Sequence, residues 1–427
     1  MKRFFARLLC LFIICAHAGT HPLIVHEWGT FTSLQDETGR TIGGINSDDE
    51  PVPKFVHDLN RLLILRPDEL PPVCYQGAPR CHPDVTMRLE TPVIYFHLPD
   101  DAAKPLAVDV KVAWRGGWLT QFYPDAQADA PGAFGALDDK TAGRLTWRNL
   151  AVGGDASGPT TTEHVWTAPR AVNATPVTTP NGEREKYLFY RGVGHLNAPL
   201  RVARVNDRLQ LHSQLESAAA GLLKIQKLWL AQFRSNGACA FRSLDPATLS
   251  GDSEKVLCST PATFAEREFG AANLAQLRSR MRQALVDDGL FADEADALLN
   301  TWELSYFKSA GLRLFFLLPC EWTDQHLPLE LSVPAKVSRV MVGRIELVTP
   351  EHRHLLREIA EAPVPMKPWA GFANDNGKPV IIGAMPPAYH DLGRFRNALV
   401  LDEMNRRPTE SLSAFIRMNG LQTSSRY

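Results

Sequence analysis

The sequence predicts an α+β protein with an N-terminal antiparallel β-sandwich, a helical hairpin and a C-terminal β/α module. Three observations predict it. Between Leu23 and Gln214, β-branched and aromatic runs are separated by turns rich in Gly, Pro and Asp, the grammar of an antiparallel sandwich or barrel. After Thr260, apolar residues recur at helical spacing instead. From Leu312, strand-like runs return and alternate with a helical stripe.

The first strand is "LIVHEWGTFTS", Leu23 to Ser33. Alternate side chains of a strand face opposite ways, so His26, Trp28, Thr30 and Thr32 share one face. Leu23, Val25, Glu27 and Phe31 share the other, which puts a carboxylate in the apolar row. "MRLETPVIYFHL", "GRLTWRNLAV", "EKYLFYRGVGHL" and "LRVARVNDRLQLHS" read as further strands. "VDVKVAW" alternates strictly, with Val108, Val110 and Val112 on a buried face. One helix is expected to interrupt this region in "PKFVHDLNRLLILRP", where Phe55, Leu59, Leu62 and Leu63 have helical spacing before Pro67.

Leu274, Leu277, Met281 and Leu285 form one helical stripe, and Ala295, Leu298, Leu299, Trp302 and Tyr306 form the next. "LRLFFLLP", "LELSVP" and "RVMVGRIELVTP" are strands again. "PEHRHLLREIAEA" is helical with Pro350 well placed at its start, and a last helix runs from about Arg394 to Met418, broken near Pro408. The resulting division is residues 1–18 as a signal peptide, 19–217 as the sandwich domain, 218–262 as a disulfide-containing connector, and 263–427 as the hairpin with the β/α module.

The leader is read from "MKRFFARLLCLFIICAHAGT": a basic start, a short apolar run and the small-x-small pattern Ala16-His17-Ala18. It implies a soluble exported protein, periplasmic or secreted, with no transmembrane segment in the mature chain. The formal net charge is -1, and losing Lys2, Arg3 and Arg7 takes it to -1 - 3 = -4, so bulk attraction to nucleic acid is not indicated. Five cysteines remain after the leader. An oxidising compartment favours pairing, and the turn-rich loops between them suggest Cys74–Cys81 and Cys239–Cys258, with Cys320 left odd and buried.

"VHEWGTFT", "MRLETPVIYFH", "EKYLFYRGVGHL", "AGLRLFFLLP" and "RVMVGRIELVTP", taken in order, resemble a family of secreted bacterial proteins marked by the HEWGTFT motif. The matching segments span most of the mature chain. The resemblance implies a shared architecture and export, and brings no activity, cofactor or partner with it. Other members often carry Asn where this chain has His195, which lowers the interest of His195 as an obligatory ligand.

Glu27 is the first candidate for chemistry. A buried carboxylate needs a cation, a metal or a proton. Arg88, Arg115 and Arg191 are candidate partners, and Arg191 in "FYRG" is the first choice. A structural pair that fixes strand register is the leading reading of Glu27. The alternative is a site of His26, Glu27 and Arg191, which needs a bulge at Gly29 to bring His26 and Glu27 to one ligand. A metal version would add His57, His97 or His195. His352 and His354 in "EHRH" read as an exposed helix start, and neither HExxH nor GxSxG occurs. Trp114, Trp118, Phe122 and Tyr123 suit core packing better than sugar stacking. The function expected is therefore an exported binding or structural module, and the alternative is an extracytoplasmic hydrolase or metal-dependent enzyme centred on His26, Glu27 and Arg191. Substrate, cofactor and partner are not legible.

Overall fold

The computed structural model describes residues 22–47, 51–62, 74–75, 77–100, 104–133, 135–154, 158–215, 223–362, 370–373, 379–381, 387–419 and 421. The expected signal peptide lies outside the described residues.

A large mixed sheet of 15 strands organises the chain. Its long strands are β1 (Leu23–Gln35), β2 (Met87–His97), β3 (Leu106–Arg115), β4 (Gly117–Tyr123), β5 (Ala142–Val152), β6 (Tyr187–Gly194), β7 (Leu228–Phe233), β8 (Cys239–Leu244), β9 (Gly311–Leu317) and β10 (Ala335–Leu347). They are ordered β5-β4-β6-β2-β1-β10-β9-β7-β8, with β3 paired to β5. The strands at 200–205, 208–213 and 256–261 form a separate small sheet.

This corrects the expected architecture of a sandwich, a hairpin and a separate β/α module. The deciding feature is β1, which pairs antiparallel with β2 and, along its whole length, parallel with β10 from the other end of the chain. Strands from both halves therefore belong to one sheet. Alternation puts His26, Thr30 and Thr32 in one row of β1 opposite the apolar row, yet both faces are covered, as expected for a central strand with a parallel neighbour.

One face carries Val25, Phe31, Leu89, Ile94, Phe96, Tyr190, Met341 and Ile345 in a core that continues through Leu356, Leu399 and Phe415. Those last three belong to helices at 350–361, 396–406 and 410–418. The other face carries Trp28, Val93, Tyr95, Phe189, Phe315 and Val342. Helices α1 (Asn273–Asp287) and α2 (Ala292–Thr301) cover it with Leu277, Met281, Leu285, Leu298 and Leu299. The 350–361 helix begins where Thr349 Oγ1 accepts from His352 N at 3.4 Å, with Pro350 in the first turn.

Local expectations are corrected as well. The "PKFVHDLNRLLILRP" segment is not a regular helix where described: His57–Asp58 is a short strand against β4, followed by a tight turn at Leu59–Leu62. No two of the five cysteines lie at disulfide distance. In the first expected pair, a two-residue hairpin sets Cys74 opposite Pro79, leaving Cys81 beyond its end. In the second, Cys239 faces Phe233 in the large sheet, whereas Cys258 faces Leu211 in the small one. Cys320 is exposed, not buried. Trp114, Trp118, Phe122 and Tyr123 are buried. Among the described residues, no helix is long and apolar enough to cross a membrane.

Candidate functional site

Glu27 is fully buried in the apolar row of β1. Tyr190 Oη donates to its Oε1, and Arg339 reaches its Oε2 with both Nε and Nη2 at 2.6 Å. Arg339 stands directly beside Glu27 in the parallel β1–β10 register and extends outward to Asp324 at 2.7 Å. Burial alone would push the Arg339 guanidinium down; the charge of Glu27, the Tyr190 phenol and the hydrogen bonds to Asp324 and Glu27 together outweigh it and hold the group well above its ordinary value. Burial, then the Glu27 charge, pushes the Tyr190 phenol well up, so Tyr190 is a firm donor.

The expected Glu27–Arg191 fork is therefore corrected to Glu27–Arg339 with Tyr190. On β6 it is Tyr190 that lies in the core on the Glu27 side, and the next side chain turns away. Arg191 Nε donates to Gln121 Oε1 at 2.5 Å. The other two candidate cations are also elsewhere: Arg88 lies 3.2 Å from Glu90, and Arg115 donates to Gln325 O at 3.1 Å. A signal for Arg339 was present in the sequence. It sits in the same alternate row as Met341 and Ile345, a lone charge in an apolar row that mirrors Glu27.

His26 points to the opposite face. The register between β1 and β2 shifts between Trp28 and Thr30, but the extra residue is on β2, where Thr91 takes a φ of 43°. The alternation at His26 and Glu27 is untouched, so they do not converge. A Cβ on Gly29 would come within 3.0 Å of Pro92 Cγ, which explains the glycine by close approach.

What His26 meets is Glu294 of α2, with His26 Nδ1 at 2.7 Å from Oε2. His97 Nε2 lies 2.8 Å from Oε1 of the same carboxylate. The imidazoles are diagonal neighbours across the β1–β2 pair, because His97 is opposite Ile24 and His26 opposite Tyr95. Phe291 packs on both rings, at 4.5 and 4.8 Å between centroids. Burial pushes the Glu294 carboxyl up, but the hydrogen bonds from His26 and His97 outweigh it and hold it down at about 2. Of the other histidines considered, His57 pairs with Glu183 at 2.9 Å and His195 Nδ1 meets Asp84 O at 2.9 Å. Glu294 escapes sequence reading because an acid in the first turn of a helix looks like a cap, a role it also fills by accepting from Phe291 N at 2.7 Å.

Farther along the same strands lies a network of buried charge. Arg344 is 2.7 Å from Glu346 and 3.8 Å from Glu90, and Arg394 is 2.7 Å from Glu90. Arg313 joins Glu346 at 3.1 Å and donates to the carbonyls of Ser305 and Tyr306. Burial pushes Arg313 down to about 10 and Arg394 to about 9.

Among the described residues, two surface cavities bear on these groups. The larger, about 1040 Å³, is bordered by Arg40, Arg115, His195, Arg201, Trp322 and His326 among others. The His326 ring lies 4.4 Å from that of Trp322, and burial, aided by the Arg115 charge, pushes its pKa down to about 4. The smaller, about 300 Å³, is lined by Cys320, Asp324 and Arg339 with three neighbours. Neither is lined by His26, Glu27 or Arg191.

No protein-family model matches the chain, and no curated protein is detectably similar. Among solved structures, the Fcho1 Mu homology domain of Danio rerio with bound Eps15 peptide aligns at 9% identity and a TM-score of 0.29, covering 77% of this chain and 98% of that one. A likeness that slight carries no argument about fold or function.

Proposed function

We propose that the protein is an exported binding module that takes a small anionic ligand in the larger cleft, with Arg115 as the charged contact. One observation carries this reading. Arg40 and Arg201 border the cleft but are drawn to carboxylates, Arg40 to Asp36 and Asp402, and Arg201 to Glu254. Arg115, in contrast, gives its hydrogen bond to the neutral carbonyl of Gln325, so its charge is available to a ligand. The adjoining His326, held neutral, leaves the charge of the contact to Arg115, and the carboxylates of Asp138, Asp139 and Glu321 also border the cleft. The enzyme reading requires His26, Glu27 and Arg191 on one cavity, and their separation favours the binding module. The leader pattern and the HEWGTFT-family resemblance support export, to the periplasm or beyond.

Calorimetric titration of the processed chain with citrate, glucuronate and inorganic phosphate tests the reading. Binding of at least one, lost in Arg115→Ala with unchanged melting, is the expected result. No heat from any of the three, or undiminished binding by Arg115→Ala, contradicts it.

A further inference from the structure

The geometry points to a transition-metal site formed by His26, His97 and Glu294, for a borderline divalent ion of the zinc class. Three elements supply it: β1, the end of β2 and the first turn of α2. The three ligand atoms all lie within 4.8 Å of one another. Zinc sits about 2.0–2.2 Å from nitrogen and carboxylate ligands, so donors must stand roughly 3–3.5 Å apart. Glu294 stands at hydrogen-bond distance from both imidazoles, 2.7 and 2.8 Å, and all the ligand atoms lie within 4.8 Å, so an entering ion needs only small shifts that part the carboxylate from the rings and draw the rings together.

The chemistry of the donors selects the ion. Two imidazoles and one carboxylate suit zinc and its neighbours, whereas calcium and magnesium take oxygen ligands. Exposure is graded across the site. Glu294 is fully buried and His26 nearly so, while the His97 side chain is 14% exposed. Solvent thus reaches the site from the His97 side, giving an entry path for the ion. Phe291 packs against both rings, tilted on His26 and edge-on to His97.

Without an ion, the carboxylate holds the imidazoles through the protons on Nδ1 of His26 and Nε2 of His97. An entering ion takes the lone pairs of those same nitrogens. Each proton then moves to the other ring nitrogen or, from an imidazolium, to solvent. The bond set changes while the three side chains stay together. A bound ion also ties α2 to the centre of the sheet, so it stabilises the folded chain by mass action.

The site is independent of the cleft, and its test leaves the anion reading untouched. The experiment is zinc titration of the untagged, chelator-treated full chain against a chromophoric competitor, with thermal melting read in parallel. One zinc per chain and a raised melting temperature are expected, with no response to magnesium. His97→Ala, which alters the most exposed ligand, should weaken zinc binding at least tenfold while retaining the circular dichroism of the parent. Cobalt substitution gives a second readout on the parent chain itself, with visible d–d absorption of a low-coordinate nitrogen and oxygen site. No competition for zinc, or zinc affinity unchanged in a folded His97→Ala, overturns the proposal.

Discussion

His26 and Glu27 are adjacent on β1, and both are buried, yet they enter different kinds of company. Glu27 meets a cation on the next strand and a phenol two strands away, so its charge is matched inside the sheet. His26 meets a carboxylate shared with a second imidazole, at the junction of the sheet and a helix. The first arrangement is closed around Glu27 itself, which is fully buried and lines neither cavity, although Arg339 borders the smaller one. The second is reached by solvent through His97. A strand can therefore carry structural charge on one face and ligand chemistry on the other, with one peptide bond between them.

The largest effect should come from breaking the closed side. Glu27→Gln leaves Arg339 inside the fold without its counter-ion, at a cost of about 3–5 kcal/mol in urea unfolding. A loss below about 1 kcal/mol would show that the pair is solvated in a way its burial denies.

A further imidazole sharpens the contrast, because its charged neighbour is a cation. His326 lies beside Arg115, and its folded pKa is about 4 against 6.5 for the free side chain. Between those values the unfolded chain takes up a proton that the fold refuses. The stability at this site is therefore complete above pH 6.5 and is lost progressively as pH falls toward 4, by up to about 3 kcal/mol. Urea melts on either side of that window should show a slope that His326→Asn flattens. An equal slope in the variant would assign the pH dependence elsewhere.

Next in size is Tyr190→Phe, which removes one charge-directed hydrogen bond from Glu27 and leaves Arg339 in place. About 1.5–3 kcal/mol should be lost, less than for Glu27→Gln. Equal losses from the two variants would mean that the phenol, and not the guanidinium, carries the site. The smallest effect belongs to the open side. His97→Ala in metal-free protein should cost about 1 kcal/mol, because His26 and the backbone of Phe291 still hold Oε2 and water entering in place of the partly exposed ring can meet Oε1. A larger loss would make the His–Glu–His arrangement a structural clamp.

The two sides also differ in how well the sequence announced them. Glu27 stood out because alternation is local: a carboxylate between Val25 and Phe31 is visible within one strand. Its partner was harder to name, since Arg339 is 312 residues away and the pairing is parallel. Non-local register is not written in any short window, although Arg339 in the row of Met341 and Ile345 carried the matching sign. The helical stripes at Leu277–Leu285 and Ala295–Leu299 were readable for the same local reason. Their docking onto the sheet, which delivers Glu294 to His26, was not. His97 appeared among the possible ligands without any spacing to single it out, because strand pairing and not chain distance sets it beside His26. The cysteines misled in a related way. Turn-rich loops made Cys239 and Cys258 look like neighbours, and membership of two different sheets separates them.

The most direct test of the closed side is a double-mutant cycle on Glu27 and Arg339, read by urea unfolding with Glu27→Leu, Arg339→Met and the pair together. Two apolar side chains leave no lone charge behind, so the double variant should be more stable than either single one. A coupling energy of roughly 2–3 kcal/mol is expected, with zinc affinity at the opposite face unchanged. Losses that simply add, with coupling near zero, would contradict the account, because Glu27 and Arg339 would then not be held in the fold by each other.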